Sequence, residues 1–298
     1  MTEHNGKYQM LLRVILVAAL GGGIPVFSKM ALMEIPTFVF IFCRFAIASL
    51  ILVPVFIRSH ERVAKKDVLP VILLSLFGTG NVVFFALGVK LTTATSAQVL
   101  YAASPIIALG ASLVILKTGF GKGKLIGVLT GVFGVLIIVL SPKLKGGSFS
   151  SGSLNGNVLV FIAVISYTMY TVLSKRAQNR YSPITLTTAM VLTTLAVQSL
   201  LMITEIKNLS VALPEISYKA VIGVLYVGIF GTALYFLLYQ HVIKKGNPVV
   251  ASMTFYLQPV FSFIYAFFLL NERLTVSLVL GSLLAFVGAA IVTRKQQA

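Results

Sequence analysis

Apolar residues run along this chain in stretches of about twenty, each closed by a short polar or basic break. Ten such stretches can be marked, roughly 10–28, 36–57, 68–88, 95–116, 122–141, 154–174, 183–204, 218–242, 248–270 and 275–293. A run of about 20 residues crosses a hydrocarbon layer of about 30 Å as a helix. Within lipid each backbone N–H and C=O must find its partner inside the segment, so every run is expected to be helical. The clearest unit is residues 247–293: an apolar run to Leu270, the break Asn271-Glu272-Arg273-Leu274, and a second apolar run. A shift of 154 residues lays it over an earlier unit, with Ala251 on Ala97, Pro259 on Pro105, Leu270 on Leu116, Gly281 on Gly127 and Gly288 on Gly134.

The repeat extends over the whole chain. Val26-Phe27-Ser28-Lys29 closes span one and Val172-Leu173-Ser174-Lys175 closes span six; Phe77-Gly78-Thr79 in span three matches Phe230-Gly231-Thr232 in span eight. Spans one to five therefore correspond to spans six to ten. Five is odd, so the second copy starts from the opposite side of the membrane, and the halves are inverted repeats. The expected fold is an all-α membrane protein of ten transmembrane helices, with a first repeat over 1–142, a Gly/Ser linker over 143–153 and a second repeat over 154–298. Inverted repeats are the construction of alternating-access transporters, whose site lies near mid-membrane where the halves meet.

Composition agrees with a membrane protein. Hydrophobic residues make up 58% and charged residues 10%, against about 45–50% and about 25% in soluble domains, and the mean hydropathy is +0.99. A net charge of +17 would suggest nucleic acid in a soluble protein, but its placement argues for topology instead. With the N-terminus in the cytoplasm, sixteen Lys and Arg fall in inner segments and seven in outer ones. That is the bias which orients membrane proteins, and it puts both termini in the cytoplasm of a multi-pass protein of the cell membrane. No nucleic-acid partner is expected. Cys43 is the only cysteine, which excludes an internal disulfide or a Cys-based metal site. No metal, cofactor or catalytic residue is expected: no Walker motif is present, and no span sets a Ser beside a His and an acid.

Ten spans in two repeats, Arg44-Phe45 in span two, the Ser-Lys ends of spans one and six, Gln258-Pro259-Val260, Leu270-Asn271-Glu272-Arg273-Leu274, Gly281 and Gly288 together resemble the EamA family of the drug/metabolite transporter superfamily over essentially the whole length. The resemblance implies a compact bundle whose central cavity opens alternately to each side and moves small organic solutes, often by export.

Helical spacing gives candidates for the cavity wall. Gln98, Tyr101 and Pro105 share a face of span four, as do Tyr167 and Tyr170 in span six, and Tyr235 and Tyr239 in span eight. Gln258 lies beside the corresponding face of span nine, and Asn81 lies near the middle of span three. Polar groups at such depth face protein or water, so these are read as substrate-binding, with hydrogen bonding between helices as the alternative. Gly22, Pro25, Pro105 and Pro259 are read as hinge or gating positions, with close packing or tolerated kinks as alternatives. Arg44 sits about 12 Å inside span two, where a cation needs a partner: a substrate carboxylate, carbonyls, a loop acid or water. All seven acids lie in tails, loops or span edges. The resulting expectation is an alternating-access exporter of amino acids or related compounds. A proton-coupled antiporter, with His241 as the one ionisable candidate, and an integral membrane enzyme are the alternatives.

Overall fold

The structure, a computed structural model, describes residues 2–89, 91, 100–118, 121–144, 154–207, 216–270 and 276–294. Among these residues it is helical throughout, with no strand. The helices are α1 (Thr2–Leu32), α2 (Thr37–Arg58), α3 (Lys65–Val89), α4 (Ser104–Ile115), α5 (Lys122–Leu144), α6 (Leu154–Ala177), α7 (Pro183–Lys207), α8 (Tyr218–Gly228), α9 (Tyr235–Lys245), α10 (Pro248–Ser252), α11 (Thr254–Leu270) and α12 (Val276–Arg294). Seven described helical stretches are long and apolar enough to cross a membrane, and Ser104–Ile115 and Val279–Val292 are shorter apolar helices.

Three spans are not the uniform helices that their hydropathy predicts. Span eight is α8 and α9 joined by a π-helical turn, Ile229–Leu234. There the Thr232 hydroxyl donates to the Val227 carbonyl five residues back, at 2.7 Å. Span nine breaks at Met253 between α10 and α11. The short α10 is started by Pro248 at its first turn and by the Asn247 side chain, which accepts from the Val250 N–H at 3.0 Å, a side-chain cap followed by a residue that has no N–H to satisfy. In span four, helix α4 likewise begins next to a proline, Pro105. Pro105 is thus at a helix start, while Pro25 and Pro259 lie inside α1 and α11.

Packing between the halves repeats with the halves exchanged. Helix α1 lies against α11, and α6 against α4; α3 lies against α6, and α8 against α1; α3 also meets α7, as α8 meets α2. The pairs α2–α7 and α5–α12 map onto themselves. This is the pattern of a two-fold axis between the repeats. Glycines set the α5–α12 crossing: a Cβ on Gly288 would stand 2.6 Å from the Gly127 carbonyl oxygen, and one on Gly134 2.5 Å from that of Gly281. Small residues let backbones touch where lipid offers no hydrophobic drive for association.

Carboxylates pin the α2–α7 pair at both ends. Glu205, near the end of α7, accepts from the backbone N–H groups of Thr37, Phe38 and Val39 at the start of α2, at 3.1, 2.6 and 3.3 Å. Glu61, just beyond α2, accepts from the Ser182 N–H at 3.0 Å and from the hydroxyls of Ser182 and Thr185 at the start of α7. Each acid serves the positive end of its partner helix. Burial alone would raise the Glu61 pKa, but these bonds outweigh it and hold the carboxyl below its ordinary range. Beside them the Tyr181 hydroxyl donates to Asp67 at 2.7 Å. At the other face Glu34 accepts from the Ser217 N–H and hydroxyl, both at 2.7 Å.

Candidate functional site

An aromatic cluster occupies the interface between the halves. Tyr167 of α6 stands 5.4 Å from Tyr239, 5.7 Å from Phe255, 6.0 Å from Tyr170 and 6.2 Å from Phe236, measured between ring centroids. Tyr235 stacks on Tyr239 at 5.8 Å, and Tyr101 meets Phe255 at 5.4 Å. Five tyrosines singled out by spacing, Tyr101, Tyr167, Tyr170, Tyr235 and Tyr239, are therefore joined in one network, with Phe236 and Phe255 as the links. Tyr167, Tyr170, Tyr235 and Tyr239 are buried, so the rings close on one another in this conformation.

Polar groups rim the cluster. Asn81 Nδ2 donates to the Tyr101 hydroxyl at 2.5 Å and to the Ala163 carbonyl at 3.0 Å, tying α3 to spans four and six. Gln258 Nε2 donates to the Tyr235 hydroxyl at 3.0 Å. Gly21 and Gly22 make this possible: a Cβ on Gly21 would meet the Gln258 amide at 2.5 Å, and one on Gly22 would stand 2.8 Å from the Gln258 carbonyl. The Tyr167 hydroxyl is buried and has no hydrogen-bond partner among the described residues. Gln98 lies outside the described residues.

Arg44 approaches the same region from α2. Its Nε donates to the Thr232 hydroxyl at 2.9 Å, and its guanidinium carbon sits 5.3 Å from the centroid of the Phe45 ring. Among the described residues it has no carboxylate partner, unlike the surface Arg180, which pairs with Asp67 at 3.3 Å. The π-turn supplies the acceptor, since it presents Thr232 to α2, and such turns recur at functional sites. In the other half the matching contact is neutral: Thr79, counterpart of Thr232, is 2.9 Å from Thr194 on α7, hydroxyl to hydroxyl. The duplication thus satisfies one copy of this junction with two threonines and sets a cation into the other.

Thr232 and Phe236 escaped selection from the sequence as site residues, whereas the 154-residue offset lays Phe255 on Tyr101, on the corresponding face of span nine. The Phe-Gly-Thr repeat flags Thr232, but only the fold places it on Arg44. Below the cluster, Lys175 donates to the carbonyls of Ile243, Lys244 and Gly246 at 2.8–3.0 Å, closing the end of α9, where a cation suits the helix dipole. Gln178 reaches the Gln240 side chain at 2.6 Å. His241 is apart from the rings: its Nδ1 donates to the Leu237 carbonyl at 2.8 Å.

Inverted five-helix repeats, interrupted helices and a polar-rimmed aromatic interface define a multi-pass membrane transporter. The EamA-like transporter family model matches residues 9–140 and again 154–294, one match to each half. The chain belongs to that family. An uncharacterized transporter of Archaeoglobus fulgidus is 29% identical over 98% of this chain and 99% of its own length. The uncharacterized transporter YoaV of Bacillus subtilis is 26% identical over 94% and 95%, and a WAT1-related protein of Arabidopsis thaliana is 23% identical over 83% and 76%. A crystal structure covering 98% of this chain and 99% of its own superposes with a TM-score of 0.79 at 17% identity, a likeness of fold. The archaeal and Bacillus relatives are transporters by name.

Proposed function

We propose that the protein is an alternating-access carrier that exports amino acids or related compounds from the cytoplasm across the cell membrane. Both termini lie in the cytoplasm in this reading, the repeats are residues 1–142 and 154–298, and residues 143–153 link them. The observation that carries the solute class is Arg44: a mid-membrane cation whose partners among the described residues are one hydroxyl and one ring face. A cation so placed suits a carboxylate, which its planar fork can take with two parallel bonds. Tyr101, Tyr167, Tyr170, Tyr235 and Tyr239 would pack on the apolar part of the solute, while Asn81, Gln98 and Gln258 orient its polar groups. A largely apolar wall with a few directed polar groups is the usual make-up of such sites.

The rings must part to admit a solute, and Gly22, Pro25, Pro105 and Pro259 are the proposed positions at which α1, span four and α11 give. Purified protein in liposomes preloaded with labelled amino acids tests the reading. The expected result is release of the label in unaltered form, saturable and competed by unlabelled solute. Failure of every amino acid both to move and to stabilise the protein thermally would exclude this solute class. Conversion of the label to a new compound would make the protein an enzyme.

A further inference from the structure

A groove between α1 and α9 is separate from the aromatic cluster and is lined by Arg13, Leu16, Leu238, His241 and Lys245. Its volume is about 160 Å³, below the roughly 300–1,000 Å³ of pockets that enclose a drug-sized ligand but enough for a phosphate and part of its glycerol. It lies at the membrane face that carries the basic loops. Leu12 and Leu16 beside it are 63% and 50% exposed, so this flank of α1 looks outward into the surrounding bilayer.

The chemistry of the lining is that of an anion at an apolar boundary. No carboxylate pairs with Arg13 or Lys245 among the described residues. With Nδ1 of His241 donating to Leu237, its Nε2 donates to an anion only when the ring is the imidazolium. Basic pockets between transmembrane helices receive anionic lipid headgroups, and long cationic side chains reach to the headgroup level while their stems stay on apolar surface. We propose that this groove binds the phosphate of an anionic phospholipid, with Arg13, His241 and Lys245 around the phosphate and Leu16 and Leu238 against the first acyl methylenes. The lipid then bridges α1 to the arm of span eight below the π-turn.

The test compares thermal unfolding in phosphatidylcholine nanodiscs with and without about one third phosphatidylglycerol. A ligand that binds the native state raises its melting temperature: phosphatidylglycerol is expected to raise that of the wild type by about 3–6 °C and to be retained in native mass spectra. The Arg13→Gln/Lys245→Gln double variant should lose more than half of that shift while melting like wild type in phosphatidylcholine alone. Lys65→Gln/Lys66→Gln, which removes two exposed cations elsewhere on the same face, should keep it. An equal shift in both double variants would overturn the site, as would no shift in the wild type. A shift of the same size from millimolar inorganic phosphate in phosphatidylcholine discs would overturn the lipid assignment in favour of a soluble anion. None of these readings depends on the transported solute.

Discussion

Arg44→Thr is the most informative single change, because it removes the cation while leaving a small hydroxyl side chain of the type that faces Thr79 in the other half. Its hydroxyl, carried on Cβ, falls short of the reach of Arg44 Nε, so the bond to Thr232 is lost and a fall in melting temperature of about 2–4 °C is expected. Arg44 now spends Nε on Thr232 and keeps its two terminal nitrogens for a solute. A hydrogen bond to a charged group contributes about 1.5–3 kcal/mol, and each 1.4 kcal/mol is tenfold in affinity. Arg44→Thr should therefore raise the half-saturating concentration for a carboxylated solute about 10- to 150-fold. The decarboxylated amine of the same solute, which offers Arg44 nothing, should change less than about twofold. Arg44→Lys should fall between, since it keeps the charge but not the planar fork. Counterflow in proteoliposomes with the two labelled solutes measures both. An unchanged preference for the carboxylated solute, or an equal loss of both, would refute the role assigned to Arg44.

Three further outcomes are expected. Glu205→Gln removes a charged cap from three N–H groups of α2, a loss of about 1–2 kcal/mol or roughly 3–6 °C; the chain has no Trp and a single Cys, so unfolding is best followed by dye labelling of Cys43, itself on α2. The pKa of Glu61 is lowered from the ordinary 4.5, so its stabilisation is present above about pH 4.5 and is lost as pH falls through the folded value; melting temperature should hold from pH 7 to about 5 and then drop, with a shallower drop in Glu61→Gln. Gly288→Val drives a side chain into the backbone at Gly127 and Gly131, and overpacking of this kind costs about 1–3 kcal/mol or more; loss of monodisperse protein in detergent is the expected result, whereas the same change at Gly110, where a Cβ meets nothing within 4 Å, should be tolerated.

Which parts of this arrangement were legible in the sequence follows from what each signal encodes. Hydropathy marks runs, so the spans could be counted, and the odd number in each repeat gave the inversion. Helical spacing marks faces, and it placed five tyrosines on faces that the fold turns toward one another. Spacing carries no information about what lies opposite, which is why Phe236, a ring between those tyrosines, and Thr232, the partner of Arg44, needed the structure. The π-turn has no composition of its own: Ile229–Leu234 reads as ordinary apolar helix, and its register shift shows only in the bond from Thr232 to Val227. The breaks beside Pro105 and at Met253 were hidden in the same way, by runs apolar enough to read as single helices. The glycine repeat was visible at Gly127, Gly134, Gly281 and Gly288, yet that these four residues meet one another is a property of the two-fold packing.

The exchange of carboxylates at α2 and α7 has a consequence for how the duplicated chain is made. Each half manufactures the stopper for a helix it does not contain: Glu205 is translated long after the α2 start it seals, and Glu61 long before the α7 start that needs it. Neither half is a finished object when severed from its twin, and two separately expressed fragments would be stable only as a complementing pair.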